Sequence, residues 1–137
     1  MKCNEFLKKS EKIVEDLLEI LEVDVEELTF KEKELISAYS FGVITSMSKE
    51  YTVSEDEVYK TFKDILIKVL KYKEDQAEFI FKRIVKSNEE NREEEFKIMI
   101  YQGKSIYLDY NNKNYNEVYD NLTNMIDVIV SKKYENY

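Results

Sequence analysis

The chain is 137 residues long, carries a formal net charge of −8, and is 43% hydrophobic and 13% aromatic. That length supports one core, and the apolar content is too high for a disordered chain. It contains no histidine, proline or tryptophan and only one cysteine, and its acidic balance opposes binding to nucleic acid or to anionic membrane surfaces.

Six helical segments follow in chain order. The first runs from about Glu5 to Glu22, with Phe6, Ile13, Val14, Leu17, Leu18 and Leu21 on one stripe and Glu11, Glu15, Glu19 and Glu22 opposite. Thr29 with Glu32 forms a capping-box pattern that opens a second helix, about Phe30 to Lys49, with Leu35, Ile36, Tyr39, Val43 and Met47 inward. Ser54 with Glu57 repeats the signature for a third, which runs to about Lys71 and buries Val58, Phe62, Ile65, Leu66 and Val69. A fourth spans about Glu74 to Lys86 and presents Ala77, Ile80, Phe81, Ile84 and Val85. Asn88 is the expected cap of a fifth helix, whose first turn holds Glu89, Glu90 and Glu93 and which ends near Leu108. Asn111, Asn112 and Asn114 mark the last loop, and a sixth helix carries Val118, Leu122, Met125, Ile126 and Ile129. Nothing reads as a strand or an internal repeat. Short connections favour antiparallel neighbours, so the expected fold is all-α, a compact bundle of about six helices forming a single domain over residues 1–137.

The site chemistry is sparse. Without histidine the commonest general base and metal ligand are missing, and no acidic loop has the turn glycine a calcium site needs. Cys3 has no histidine to activate it and no partner for an internal disulfide, which fits a reducing compartment. The first ten residues lack a signal-peptide apolar run, and no segment is long and apolar enough to cross a membrane. The expectation is a cytoplasmic protein without enzymatic activity, metal or cofactor. A carboxylate-dependent enzyme would need a cleft that no sequence feature indicates.

What remains is surface. Five carboxylates fall within residues 89–95, namely Glu89, Glu90, Glu93, Glu94 and Glu95, with only Arg92 among them. They suit either a solvated helix start or a face for a basic partner. The Glu11, Glu15, Glu19, Glu22 stripe has the same two readings. Eleven tyrosines are many for this length, and Tyr51, Tyr101, Tyr107, Tyr110 and Tyr115 sit in polar surroundings, whereas Tyr39 and Tyr59 sit beside core positions. Tyrosine supplies large contact area at low entropy cost, as interface hot spots require. The partner-binding candidates are Glu89, Glu90, Glu93 and Glu94 with Tyr101, Tyr107 and Tyr110. Gly42 and Gly103 each fall within a helical pattern, where glycine costs about 1 kcal/mol against alanine and implies close packing.

The stretch Ala38-Tyr39-Ser40-Phe41-Gly42-Val43-Ile44 resembles that of the immunity protein 48 family, small helical proteins of bacterial polymorphic-toxin and contact-dependent inhibition systems. Ser54 with Val58, Lys71-Tyr72, Gln76-Ala77, Ser87 and the region Ile100-Tyr101-Gln102-Gly103 through Tyr110 continue the likeness, over about Leu35 to Ile129. After the late glycine the family carries a second glycine and a histidine, where this chain has Lys104-Ser105-Ile106-Tyr107. The resemblance implies a non-catalytic inhibitor that binds and neutralises a cognate toxin domain, for instance a basic nuclease, in the cytoplasm. The alternative is a helical adaptor or regulatory subunit that binds another protein. Oligomeric state is left open by either reading.

Overall fold

The computed structural model describes residues 2–90 and 93–135. Six helices, α1 (Lys2–Leu21), α2 (Phe30–Tyr51), α3 (Glu55–Lys68), α4 (Glu74–Glu90), α5 (Glu94–Asn111) and α6 (Tyr115–Glu135), pack around one contiguous apolar core, with a 3-10 turn at Val25–Glu27. There is no strand among the described residues. The fold is all-α, as the spacing of apolar residues predicts.

The caps act where the sequence places them. Thr29 Oγ1 accepts from the Glu32 N–H at 3.1 Å, and Glu32 Oε1 accepts from the Thr29 N–H at 2.8 Å. Ser54 Oγ accepts from the Glu57 N–H. Asn88 does not cap a helix. It lies inside α4, because Glu89 and Glu90 are good helix formers and carry α4 on to Glu90. The break falls later, at Glu93, which takes a left-handed φ of 38° and whose carbonyl accepts from the Phe96 and Lys97 N–H groups to start α5. The third helix stops at Lys68, short of the expected Lys71. The Val69 and Leu70 N–H groups both return to the Ile65 carbonyl, and Lys71 turns left-handed to send Tyr72 inward.

α2 is the central element. Every residue from Glu34 to Ile44 is buried, so no side of this stretch faces water. Its most extensive partner is α5, and the two glycines set their separation. A methyl group on Gly42 would stand 2.1 Å from the Ile100 carbonyl oxygen; one on Gly103 would stand 2.1 Å from that of Tyr39. The two contacts are reciprocal, each glycine lying against the backbone that flanks the other. Ser46 Oγ then donates to the Lys104 carbonyl oxygen at 3.0 Å, one turn further along. Ala38, Gly42 and Ser46 stand four residues apart and form a ridge of small side chains. Neither glycine has positive φ; the left-handed helix ends fall instead on Glu22, Thr52, Lys71, Glu93 and Lys113. Glycine here serves contact between helices.

A polar thread crosses the same region. The fully buried Tyr39 donates its hydroxyl to Asn121 Oδ1 of α6 at 2.8 Å, and Asn121 Nδ2 donates to Gln102 Oε1 of α5 at 2.8 Å. Burial, and after it the charge of Asp109, raises the Tyr39 phenol well above its ordinary pKa, so it stays a donor.

Gly42→Ala and Gly103→Ala are each expected to destabilise the fold by about 3 kcal/mol or more. The methyl group meets main-chain atoms, which cannot swing aside, and the gain of about 1 kcal/mol in helix propensity is smaller than the clash. Urea denaturation of each variant measures this; unchanged stability would mean that α2 and α5 can move apart at little cost.

Candidate partner interface

The junction of α4 and α5 is organised by one arginine. Arg83 donates from Nη1 to Glu34 Oε2 of α2 at 2.5 Å, and from Nε and Nη2 to the two carboxylate oxygens of Glu93 at 3.2 and 2.6 Å. The second pairing is a two-pronged fork, the geometry that guanidinium and carboxylate favour. The same guanidinium lies 4.9 Å from the Phe96 ring centroid and 5.6 Å from that of Phe79. Glu34 is the one acidic side chain buried in the described core, and Arg83 supplies its counter-charge. Lys31 pairs with Glu95 nearby. Cations contributed by other elements therefore partly balance the acidic run of residues 89–95, which is dense only along the sequence. Arg92 lies outside the described residues, as does the side chain of Cys3.

The seven expected interface residues separate. Glu93 is held by Arg83 and exposed, and Glu94 is exposed in the first turn of α5. Glu94, Tyr101 and Leu108 stand seven residues apart, so they share one outward face of α5, with Tyr101 67% and Leu108 68% exposed. Glu89 is exposed but turned towards α3, where it accepts from the Tyr59 hydroxyl at 3.1 Å. Glu90 is exposed at the end of α4. Tyr107 and Tyr110 are buried. Tyr107 donates to Glu50 Oε2 at 2.9 Å and Tyr110 to Asp16 Oδ2 at 2.5 Å, which ties α5 to α2 and α1. The helical period turns these two rings inward and leaves Tyr101 outside, a division that local polarity does not reveal.

Two further exposed aromatics lie outside the expected set, on α2 and α4. Phe30 and Phe79 are 67% and 62% exposed and line a common depression of about 340 Å³ with Tyr72, Asp75, Gln76 and Ile80. Each sits off the apolar stripe of its helix, and that is the signal a sequence reading can use: a large aromatic on a polar face. Tyr72, in the wall, bonds Ser37 Oγ through its hydroxyl at 3.3 Å, and Lys33 Nζ covers its ring at 4.1 Å. On another side of the molecule Glu15, Glu19 and Glu22 of the α1 stripe border a groove with Asp24, Glu27, Lys68 and Lys71. No group of three metal-ligating side chains converges among the described residues. None of the described helices is long and apolar enough to cross a membrane.

A family model described as immunity protein 48 matches residues 6–130. The chain belongs to the immunity protein 48 family. No curated protein and no solved structure matches it. The match reaches back through α1, beyond the Leu35–Ile129 span in which the sequence likeness is visible by eye. Membership in an immunity family gives the partner-facing reading of this surface its context, and both helix-internal glycines of the α2–α5 crossing lie inside the matched region.

Two outcomes follow for this immunity protein. Glu34→Gln places an amide where Arg83 needs a carboxylate and should lower stability by about 2 kcal/mol in denaturant titration, whereas Glu95→Gln, at a half-exposed pair, should change it by less than about 1 kcal/mol. Burial, ahead of the other influences, pushes the phenols of Tyr72 and Tyr107 from an ordinary 10.0 up to about 12. Their neutral forms are thus favoured by folding, so this stabilisation is complete below pH 10 and is lost as pH rises through 10 to 12. Ring NMR resonances assigned to Tyr72 and Tyr107 that change to phenolate only together with loss of helical signal across that window would show it; ionisation of these two rings near pH 10 with the helical signal intact would contradict it.

Proposed function

We propose that this immunity protein binds and neutralises a cognate toxin domain one-to-one, without catalysis, through the face built by the α4–α5 junction and the outer side of α5. Glu90, Glu93 and Glu94 draw a basic partner, and Glu89 extends the charge towards α3. Tyr101 supplies the aromatic contact. Tyr107 and Tyr110 act from inside, fixing α5 to α2 and α1 so that this face is rigid before the partner arrives. The observation that carries the reading is membership in the immunity family together with solvent-exposed carboxylates and a large exposed tyrosine on one rigid face.

Charge does the long-range work. With −8 overall, the chain attracts a basic surface over about a Debye length, roughly 8 Å at physiological ionic strength. A nuclease whose groove accepts phosphate would present such a surface, and the acidic face would occupy it in place of the nucleic acid. The exposed carboxylates then act mainly on the association rate, while desolvated aromatic contacts set how long the complex lasts.

Calorimetric titration with the toxin domain encoded immediately upstream of the gene tests this. Nanomolar one-to-one binding with loss of toxicity is expected, and absence of binding at micromolar concentrations would favour an adaptor role with a different protein partner. In the complex, Glu90→Gln with Glu94→Gln should slow association several-fold at low ionic strength, with the difference shrinking as salt approaches about 1 M and dissociation nearly unchanged. Association rates indifferent to salt would remove the steering part of the mechanism.

A further inference from the structure

The depression between α2 and α4 is the feature of this surface that the acidic face alone leaves unexplained. Phe30 and Phe79 come from positions 49 residues apart in sequence and converge on one hollow, each with more than half of its surface in water. Single exposed apolar residues are ordinary, but two phenylalanines lining one concavity form a local binding surface. The hollow is not purely apolar. Its floor and walls are Ile80 and Tyr72, and its rim carries the Asp75 carboxylate and the Gln76 amide. Asp75 Oδ1 accepts from the Gln76 N–H of its own turn, and among the described residues no lysine or arginine pairs with it.

We propose that this hollow receives an arginine side chain from the basic protein attracted by the α4–α5 junction. The guanidinium would lie against the Phe30 and Phe79 rings, its methylene stem on Ile80, and its charge would meet Asp75. Three observations carry this. Aromatic faces attract cations, and guanidinium, being planar and weakly hydrated, stacks on them better than ammonium does. The chain already makes this contact once: Arg83 sits 5.6 Å from the Phe79 centroid, yet Arg83 does not line the hollow, so the wall that Phe79 offers there is left to an incoming group. The hollow also lies near the acidic junction, since Phe79 is 5.6 Å from the guanidinium of Arg83, which holds Glu93. An arginine steered to the junction thus arrives beside its stacking site. The identity of the partner rests on the toxin-binding reading; the chemistry of the hollow does not.

The full chain is titrated with Nα-acetyl-arginine amide, and the aromatic NMR resonances of Phe30 and Phe79 are followed. The neutral isostere acetyl-citrulline amide and the apolar acetyl-leucine amide serve as comparators. Saturable shifts at both rings are expected with the arginine probe, and binding about ten-fold or more weaker with the other two. Phe79→Leu, which keeps apolar surface but removes the ring, and Asp75→Asn should each weaken the arginine probe while the melting temperature falls by no more than about 4 °C, because both side chains are largely solvent-exposed. Absence of shifts, or leucine binding as well as arginine, would overturn the proposal. With the toxin domain, Phe30→Ala and Phe79→Ala should each weaken binding by about 30-fold, the effect of an anchor residue. Unchanged toxin affinity in both variants would overturn the hollow's role in that complex. A toxin domain that does not bind the wild-type chain, beside normal arginine binding, would sink the toxin reading alone.

Discussion

The reciprocal seating of Gly42 and Gly103 is the constraint on which the other contacts depend. With each glycine pressed on the opposite backbone, α2 and α5 approach closer than any pair bearing side chains at the crossing, and the main-chain polar groups there come within reach of neighbours. Ser46 can then bond the Lys104 carbonyl, and Tyr39 can thread between α5 and α6 to Asn121. A wider crossing would part these groups and leave the Tyr39 hydroxyl buried without an acceptor, a more serious loss than the van der Waals contacts themselves. Glycine lowers the intrinsic stability of both helices by about 1 kcal/mol each, and close packing more than offsets it.

From that crossing the surface is positioned in two steps. α5 is fixed against α2, and the hydroxyls of Tyr107 and Tyr110 lock its length to Glu50 and Asp16, so the opposite side of α5, with Glu94, Tyr101 and Leu108, is held outward. Arg83 then sets the junction. Its bond to the buried Glu34 anchors α4 to the central helix, and its fork to Glu93 fixes the left-handed residue from which α5 departs. A buried ion pair is weak evidence for stability in itself, since desolvation offsets most of the attraction. Here its consequence is geometric: one guanidinium joins Glu34 of α2 to Glu93, from which α5 departs, and lies beside the Phe79 ring. A face held in this way has little conformational entropy left to lose on association.

The charge distribution carries a further lesson. An acidic run in sequence need not be an acidic patch in space. Of the carboxylates in residues 89–95, Glu93 and Glu95 are paired with cations from α4 and α2, and Glu89 accepts a phenol from α3. The run is a junction where α2, α3 and α4 meet the start of α5. Excess tyrosine divides in the same way, with Tyr39, Tyr107 and Tyr110 as buried donors, Tyr72 buried against Ser37, and Tyr101 outside.

Periodicity, caps and the absence of proline were enough to specify six helices and their inward stripes, because a 3.6-residue repeat and a Thr29–Glu32 capping box are local facts. Membership in the immunity protein 48 family was also legible, since short motifs such as Ala38 to Ile44 are read directly along the chain. The end of α4 was not: glutamates propagate a helix as readily as they start one, and Glu93, where α5 starts, is held by Arg83, ten residues earlier, which also bonds Glu34 across the core. Polar surroundings did not tell which tyrosines face water: Tyr107 and Tyr110 continue the buried row of Phe96, Met99, Ile100, Gly103 and Ile106, whereas Tyr101 lies off it, so the helical period and not local polarity is the signal. The glycines announced close packing but not their partner. That Gly42 meets Ile100 and Gly103 meets Tyr39, and that Phe30 and Phe79 share a hollow, was decided by tertiary structure alone, because contacts between residues tens of positions apart follow from how helices cross and not from what each helix is.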